Sequence, residues 1–371
     1  MATTELYPLI DTPAVLIDLD KMEANLGEMA EVARSSGVKL RPHIKTHKSV
    51  ELARLQLSYG ASGVTVAKLG EAEVMADAGI RDVRIAYPIV GELKLRRLRT
   101  LAERCNVSLA LDSAEVAEGI SRLGCEMGIR FNILLKINTG LNRTGVLPGE
   151  SSVHLAHRLN GLKGVTLVGI LTHEGHVVTL AHNRAEVREQ SMQVGRTMVQ
   201  TRDLLMQAGM DILEVSVGST PSARDIAGVP GVTEIRPGTY IFNDVNEMGS
   251  GVASEDTCAA TVLVTVVSVP SDDRVIIDAG SKVLSSDRIA RPGCDGYGRI
   301  KGQVDVQIDR LNEEHGMLST NNAVARFRVG QRLEVIPNHV CPVVNLTDWL
   351  WGVRKGRVER KILVDARGRS V

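Results

Sequence analysis

The stretch GVTVAKLGEAEVMADAGIRDVRIAYPI, residues 63–89, contains a strand, a helix and a second strand in that order. Its ends, GVTVA and VRIAYPI, are short apolar runs rich in β-branched residues, which is typical of buried strands. The segment LGEAEVMADAGI between them has apolar residues at helical spacing, and Gly79 is suited to end that helix. Two strands joined by a helix run parallel in one sheet, so this stretch predicts a parallel α/β fold.

The same order of strand, turn and helix repeats from about residue 14 to residue 244. It gives eight or nine βα units, which favours a (β/α)8 barrel of the TIM type with its helices outside. A doubly wound sheet is the alternative. The predicted strands are AVLIDL, VKLRPHIKT, GVTVA, VRIAYPI, VSLALDS, FNILLKIN, LVGILTHEG, ILEVSVGS and EIRPGTYIF.

The pattern changes after MGSG, Met248–Gly251, where short strands and polar turns replace the helical periods. We therefore predict two domains. The first is a barrel over residues 14–247, and the second is a mainly β domain over residues 248–371 together with residues 1–13. The predicted strands of the second are AATVLVTVVSV, RVIIDAG, RLEVIPNHV, WLWGVRKGRV and RKILVD.

Composition narrows the classes of function. The 371 residues include 44 basic and 44 acidic side chains, so we expect a small-molecule partner and no nucleic acid, whose binding needs excess positive charge. No apolar run approaches the roughly 20 residues of a membrane-spanning helix, and no export signal is evident, so we expect a cytoplasmic protein. The cysteines form no CxxC pair, which predicts reduced thiols at Cys105, Cys125, Cys258, Cys294 and Cys341.

The segment RPHIKTHK, Arg41 to Lys48, concentrates basic side chains at the end of the second predicted strand. On an extended strand Arg41, His43, Lys45 and His47 would share one face. One interpretation is a basic strand end that is exposed to solvent. The other is that neighbouring positive charge and partial burial favour the neutral amine of Lys45. A neutral amine is a nucleophile for carbonyl groups, including that of pyridoxal 5'-phosphate (PLP).

Four further segments place polar residues where predicted strands end. In SVGSTPS, Gly218 lets the backbone approach a ligand closely, and the hydroxyls of Ser219 and Thr220 could hold phosphate oxygens. Such residues also form ordinary turns, and a tyrosine such as Tyr240 could equally be a core residue. The other segments supply Gly238, Thr239 and Tyr240 from RPGTYIF, Arg143 from TGLNRTGV, and His173 and His176 from LTHEGHVV.

His339 and Cys341 in the segment PNHVCP are separated by one residue. On an extended segment their side chains would share a face and could chelate one metal ion. Imidazole with thiolate favours zinc, with manganese or cobalt as alternatives. Two protein ligands leave coordination positions open, which suits a catalytic site. Without its surroundings the pair could also be a buried cysteine beside a hydrogen-bonded histidine.

These motifs, with DTPAVLIDLD, AYPIV and EHG, resemble in sequence and order the fold-type III PLP enzymes of the D-serine dehydratase and D-threonine aldolase group. Their barrel is similar to that of alanine racemase. The resemblance implies that Lys45 binds PLP, that Arg143 faces the phenolic oxygen of the cofactor, and that Lys45 and His173 are catalytic. The cofactor-binding residues it implies are Lys45, His43, Arg143, Gly218, Ser219, Thr220, Gly238, Thr239 and Tyr240, and the metal ligands are His339 and Cys341.

The resemblance implies a PLP- and metal-dependent lyase that removes water, and then ammonia, from a β-hydroxy-D-amino acid such as D-serine or 3-hydroxy-D-aspartate. The His-x-Cys pair and the GSTPS loop have the dehydratase form, whereas Pro342 after Cys341 is similar to the aldolases. The alternative is therefore retro-aldol cleavage to glycine and an aldehyde, as in D-threonine aldolase. An amino-acid racemase and a PLP-binding protein without catalysis are further alternatives. Relatives with this layout are dimers, so the resemblance also implies a homodimer.

Overall fold

A computed structural model of the chain describes residues 6–271, 273–288, 296–303, 305–319 and 326–371. The described residues fall into two units, and each unit is discontinuous in sequence. The barrel unit comprises Glu28–Lys45, Leu52–Gly238 and Gly368–Val371. The β unit comprises the described residues up to Gly27, together with Thr46–Glu51 and Thr239–Arg367. The backbone leaves the barrel unit directly after Lys45 and again after Gly238.

The barrel unit is built on one sheet of eight parallel strands. Numbered along the whole chain, they are β2 (Lys39–Leu40), β3 (Val64–Val66), β4 (Asp82–Ile85), β5 (Asn106–Leu111), β6 (Phe131–Lys136), β7 (Val165–Leu171), β8 (Glu214–Val217) and β9 (Glu234–Ile235). Their order is β2-β9-β8-β7-β6-β5-β4-β3. A parallel bridge between His43 and Thr65 joins the two edge strands, and the Thr65 N–H donates to the Pro42 carbonyl at 2.8 Å. The curled sheet confirms the predicted TIM-type architecture over a doubly wound one.

Helices connect the strands of this repeat, and their ends follow local sequence signals. α3 ends at Asp77, and Gly79 then adopts a left-handed backbone with φ +83, as predicted. α5 begins after Ser113, whose side chain accepts the Val116 N–H. The helices are α1 (Leu19–Ser36), α2 (Val50–Ser58), α3 (Leu69–Asp77), α4 (Glu92–Ala102), α5 (Ala114–Met127), α6 (Glu150–Asn160), α7 (Val177–Leu180), α8 (Arg184–Gln207) and α9 (Thr220–Ile226).

A buried ionic cluster occupies part of the barrel interior. The carboxylate of Glu234 accepts hydrogen bonds from Nε of Arg41 at 2.7 Å and from Arg84 and Ser216. Arg41 also donates to Asp82 at 2.6 Å. Burial raises the pKa of Glu234, but the charges of Arg84 and Arg41 outweigh it and hold the pKa below its usual value. These charges are tolerated away from water because each of them is paired.

The β unit contains a nine-stranded sheet and three short helices, α10 (Val245–Gly249), α11 (Ser281–Leu284) and α12 (Val340–Asn345). Its strands are β1 (Ala14–Asp18), β10 (Ala260–Ser271), β11 (Arg274–Ile277), β12 (Gly298–Ile300), β13 (Gln307–Leu311), β14 (Gly316–Ser319), β15 (Arg332–Pro337), β16 (Trp349–Arg354) and β17 (Arg357–Leu363). The order is β11-β14-β13-β12-β15-β10-β1-β16-β17, and β10 also pairs with β11. Six antiparallel strands therefore close into a small barrel, which confirms the predicted C-terminal β architecture.

The segment AVLIDL does not form a barrel strand, so that prediction is wrong. Within it, β1 pairs antiparallel with β10 and parallel with β16. Its buried Ala14 and Leu16 pack with Ile10, Leu263 and Val353. A continuous apolar run fits any strand that is buried on both faces, so its pattern cannot tell which sheet it joins.

Two features expected from the sequence, the lack of a membrane-spanning helix and the free thiols, can be stated for the described residues. Within the described ranges, no helix is long and apolar enough to cross a membrane. The cysteines that the structure describes have free thiols, and they are Cys105, Cys125, Cys258 and Cys341. Cys294 lies outside the described residues.

Candidate functional site

Lys45 lies in one turn of 3-10 helix, Ile44–Thr46, beyond the carboxyl end of β2. Its side chain is half-buried, and its backbone N–H donates to Nδ1 of His43 at 3.4 Å. The predicted strand through Thr46 is wrong, because β2 already ends at Leu40. The backbone continues beside the segment after β9 as far as His43, whose N–H donates to the Pro237 carbonyl at 2.9 Å. Lys45 nevertheless lies at the end of the barrel strands where TIM-type enzymes carry their catalytic residues.

Arg41, His47 and Lys48 are buried and His43 is half-buried, so the interpretation as a solvent-exposed strand end is wrong. Arg41 belongs to the ionic cluster of Glu234 and Asp82. His47 is fully buried, and its Nδ1 accepts the Ser49 N–H at 3.1 Å. The predicted shared face of four basic side chains is therefore not formed. Within this segment, the charge of Lys45 lowers the pKa of the His43 ring.

Two imidazoles, those of His43 and His173, share the surroundings of Lys45. Burial lowers the pKa of both rings far below its usual value, and the positive charge of Lys45 lowers it further. Arg143 and Arg236 act in the same direction. Both rings are therefore neutral near pH 7, and a neutral ring can accept a proton. The charges of Lys45 and Arg143 thus act on both His43 and His173, and these four candidate site residues form one electrostatic group.

Lys136 and Arg236 also belong to this group, although the motifs did not single them out. Lys136 ends β6 and is buried; burial and the charge of Arg143 lower the pKa of its amine to about 8. Arg236 follows β9, and burial lowers its pKa to about 10. Its guanidinium donates to Oγ of Ser216 at 2.5 Å and to the Thr172 carbonyl. The sequence signal was a lysine that closes the apolar run FNILLK and an arginine that follows a strand.

Arg143 is exposed on a turn between β6 and α6 that is held by the Asn138 side chain. Oδ1 of Asn138 accepts the N–H groups of Gly140 and Asn142, both at 3.1 Å. His176 packs against this turn, since a Cβ on Gly140 would lie 2.8 Å from its Nε2. Burial lowers the pKa of His176. The structure gives His176 a packing contact with the Arg143 turn.

The segment SVGSTPS forms a tight turn between β8 and α9. Gly218 has φ +115, and a Cβ there would lie 2.8 Å from the backbone nitrogen of Arg236, so the turn requires glycine. Ser219 and Thr220 are buried beside it. The other predicted phosphate residues follow β9: Gly238 is buried in the barrel unit, and Thr239 and the buried Tyr240 belong to the β unit.

His339 and Cys341 lie in the β unit, where their side chains are hydrogen-bonded to each other. They do not lie on an extended segment as predicted, because His339 caps α12 and Cys341 is in its first turn. Nδ1 of His339 is 2.8 Å from Oδ2 of Asp287. Burial lowers the pKa of His339, but Cys341 and nearby carboxylates raise it to about 10.

Several side chains of the β unit support this pair. The thiol of Cys341 is 3.3 Å from Oγ1 of Thr46 and 3.8 Å from Oγ1 of Thr239. The buried carboxylate of Asp244 accepts the Val340 N–H at 3.0 Å and so fixes the start of α12. Among the described residues, no group of three or more His, Cys, Asp or Glu side chains is arranged to hold a metal ion.

Comparison with known families places this architecture. The family of the alanine racemase N-terminal domain matches residues 17–245, and the chain belongs to this family. A serine dehydratase domain family matches residues 259–353.

The chain is similar along most of its length to characterised lyases. It is 36% identical to the D-threo-3-hydroxyaspartate dehydratase of Delftia sp. (strain HT23), over 90% of this chain and 91% of the relative. It is 34% identical to the D-threonine aldolase of Arthrobacter sp., over 97% and 94%. It is 27% identical to the D-serine dehydratase of Dictyostelium discoideum, over 90% of each. The recognition of this group from the motifs is confirmed.

Solved structures give the same result. The D-threo-3-hydroxyaspartate dehydratase of Delftia sp. HT23 has a TM-score of 0.90 and 32% identity, covering 97% of this chain and 98% of that one. The D-threonine aldolase of Filomicrobium marinum has a TM-score of 0.88 and 33% identity, covering 97% and 96%. Two further dehydratase structures are variants: one has a cysteine replaced by alanine and is metal-free, and the other has a histidine two positions earlier replaced by alanine.

Proposed function

We propose that this protein is a PLP- and divalent-metal-dependent lyase that removes water, and then ammonia, from a β-hydroxy-D-amino acid such as 3-hydroxy-D-aspartate or D-serine. The observation that carries the proposal is the contact between the side chains of His339 and Cys341 in a member of the alanine racemase family. The same two residue types at the same spacing are replaced in the dehydratase variants, one of which is metal-free. Racemisation would not call for a metal pair.

PLP fits the residues of the barrel unit. Lys45 provides an amine beyond the end of β2, and the cations Arg143 and Arg236 suit an anionic cofactor. Gly218 leaves the space that a Cβ would fill, and the hydroxyls of Ser219 and Thr220 can donate to a phosphate. With Gly238, Thr239, Tyr240 and His43, these are the residues that we propose for cofactor binding.

A transition metal fits the chemistry of His339 and Cys341. Imidazole and thiolate together favour zinc, and manganese is the alternative. A carboxylate on the second ring nitrogen, here Asp287, commonly fixes the tautomer of a metal-bound histidine. Thr46 and Thr239 supply hydroxyls near the thiol.

The side chains have distinct tasks in the proposed reaction. When bound, PLP supplies an electron sink for the substrate α-carbon and the metal supplies a Lewis acid for the β-hydroxyl. The amine of Lys45 takes the proton from the α-carbon. The ring of His173 is neutral and can therefore accept a proton from the substrate. Loss of water leaves an enamine, which water hydrolyses to a 2-oxo acid and ammonia.

Retro-aldol cleavage is the second candidate, and the neutral ring of His173 favours it as a base for the β-hydroxyl. The aldolases among the relatives are as similar overall as the dehydratases, so overall identity does not separate the two outcomes. Products separate them. Dehydration yields an oxo acid and ammonia, whereas cleavage yields glycine and an aldehyde.

The test is to incubate the PLP- and zinc-loaded protein with 3-hydroxy-D-aspartate, D-serine and D-threonine, and to quantify oxo acid, ammonia and glycine. We expect oxo acid and ammonia in equal amounts, loss of activity with a chelator, and recovery with zinc. Glycine with an aldehyde and no oxo acid would refute the dehydratase proposal. Lys45→Ala should abolish both turnover and the visible absorbance of bound PLP, and Cys341→Ala should lose the metal while it keeps that absorbance.

We further propose a homodimer located in the cytoplasm. Sedimentation equilibrium of the purified protein tests the dimer. A mass of one 40.1 kDa chain across the micromolar range would contradict it.

A further inference from the structure

We propose that Glu174 is a positioning residue for the phosphate end of PLP, because its buried carboxylate sets the shape of the Gly218–Ser219 turn. The inference rests on the proposed binding of PLP and extends it to a residue that no motif pointed to. Glu174 lies three residues after the end of β7. His173 precedes it, and His176, which packs against the Arg143 turn, follows two residues later.

The carboxylate of Glu174 is fully buried and makes two hydrogen bonds to this turn. Its Oε2 accepts the backbone N–H of Gly218 at 3.2 Å. Its Oε1 accepts the hydroxyl of Ser222. Oγ of Ser222 in turn accepts the Ser219 N–H at 3.1 Å and lies 3.0 Å from Oγ of Ser219. One carboxylate therefore fixes both the residue that must be glycine and the serine that follows it.

The opposite side of the turn is fixed by Arg236. The Cα of Gly218 faces the backbone nitrogen of Arg236 so closely that a Cβ would lie 2.8 Å from it. The negative charge of Glu174 also raises the pKa of Arg236, against the larger effect of burial. The positive charge of Arg236 thus compensates the negative charge of the buried Glu174 carboxylate. Without this compensation, the carboxylate would repel a phosphate bound at the adjacent turn.

These contacts determine which groups are free to face a phosphate. The Gly218 N–H and the Ser222 hydroxyl are turned toward Glu174 and cannot donate to the ligand at the same time. The hydroxyl of Ser219 can rotate away from Ser222 toward a phosphate oxygen. Without Glu174, a buried amide and a buried hydroxyl lose their acceptor, so the turn must rearrange to satisfy them. Affinity for the phosphate should fall, while contacts with the pyridine ring are unaffected.

The test compares two probes that differ only in the phosphate. PLP-free wild type, Glu174→Ala and Glu174→Gln are titrated with PLP and with pyridoxal, and binding is followed by visible absorbance. We expect Glu174→Ala to bind PLP at least tenfold more weakly and pyridoxal within twofold of the wild type. Glu174→Gln should bind PLP within about threefold, because its amide can accept from Gly218 and donate to Ser222. The exposed Glu189→Ala on α8 is the matched control and should change neither affinity.

The outcomes separate this inference from the proposal on which it rests. If the wild type binds PLP no more tightly than pyridoxal, the phosphate site itself is wrong and the inference falls with it. If the wild type prefers PLP but Glu174→Ala binds PLP equally well or better, or loses both ligands equally, the positioning role alone is overturned. A loss in Glu174→Gln equal to that in Glu174→Ala would overturn it as well. Should Glu174→Ala fail to fold, Ser222→Ala replaces it, with the same expected selective loss of PLP.

Discussion

Replacing Gly218 by alanine tests whether the SVGSTPS turn requires glycine. A backbone φ of +115 costs a residue with a side chain about 1–3 kcal/mol. The added methyl group would also lie 2.8 Å from the backbone nitrogen of Arg236, so one of two backbone segments must move. We expect the free energy of unfolding of the PLP-free protein to fall by roughly 2–4 kcal/mol. The affinity for PLP should fall at least tenfold, because the shifted turn no longer presents Ser219 correctly.

Gly228→Ala provides the matched control for this experiment. Gly228 follows α9, lacks a left-handed backbone, and would place its Cβ 3.7 Å from the nearest atom, the Asp225 carbonyl oxygen. The free energy of unfolding of the Gly228→Ala variant should stay within about 0.5 kcal/mol of the wild-type value. Urea denaturation followed by circular dichroism measures stability, and titration with PLP measures affinity. The steric argument is refuted if Gly218→Ala matches Gly228→Ala in both measurements.

Three further changes probe the charges described above. Lys136→Met should stabilise the PLP-free protein by up to about 3 kcal/mol below pH 8, because folding lowers the pKa of this amine to about 8 and so penalises its charged form. Urea denaturation should show that the gain vanishes toward pH 10.5, and a variant less stable than wild type would contradict this expectation. Asp287→Asn should weaken zinc binding about 10- to 100-fold, because the Asp287 carboxylate orients the His339 ring. Competition with a chelating dye measures the affinity, and an unchanged value would count against this role. Glu234→Gln should cost about 3–5 kcal/mol at pH 7 by removing the buried negative charge that Arg41 and Arg84 share, and the difference from wild type should shrink as the carboxylate is protonated in acid. A difference that stays constant from pH 7 to pH 3 would argue against the ionic explanation.

The parallel barrel could be predicted from the sequence because its signal is local and repeated. Each apolar run, turn and helical period of the type seen in residues 63–89 reports on its own neighbourhood. Strand β1 was assigned to the wrong sheet because its partners, β10 and β16, are distant in sequence and its own residues are apolar on both faces. Local pattern identifies a strand, but pairing across such a distance depends on the packing of the whole chain.

Some residues of the candidate site could also be predicted from local sequence, and others could not. His339 and Cys341 could be predicted as a pair from their spacing alone, although the structure sets them at the start of a helix instead of on a strand. Glu174 and Arg236 were missed because both bond to residues in or directly after another strand, β8. Lys136 was missed because its pKa depends on burial and on Arg143, which the chain returns to it from the following turn. A single charged residue at the end of an apolar strand or just after it carries no sign of what it will face in a barrel. That information arises only when the sheet curls.

The position of β1 also bears on how the protein is made and how it can be divided. During synthesis β1 leaves the ribosome well before its partner strands β10 and β16, which follow more than two hundred residues later. The β unit therefore cannot complete its sheet until almost the whole chain has emerged. A fragment that begins at residue 248 would expose the unpaired edges of β10 and β16 and would tend to aggregate. A synthetic peptide spanning residues 6–27, added in trans, should restore its solubility by inserting as the missing strand.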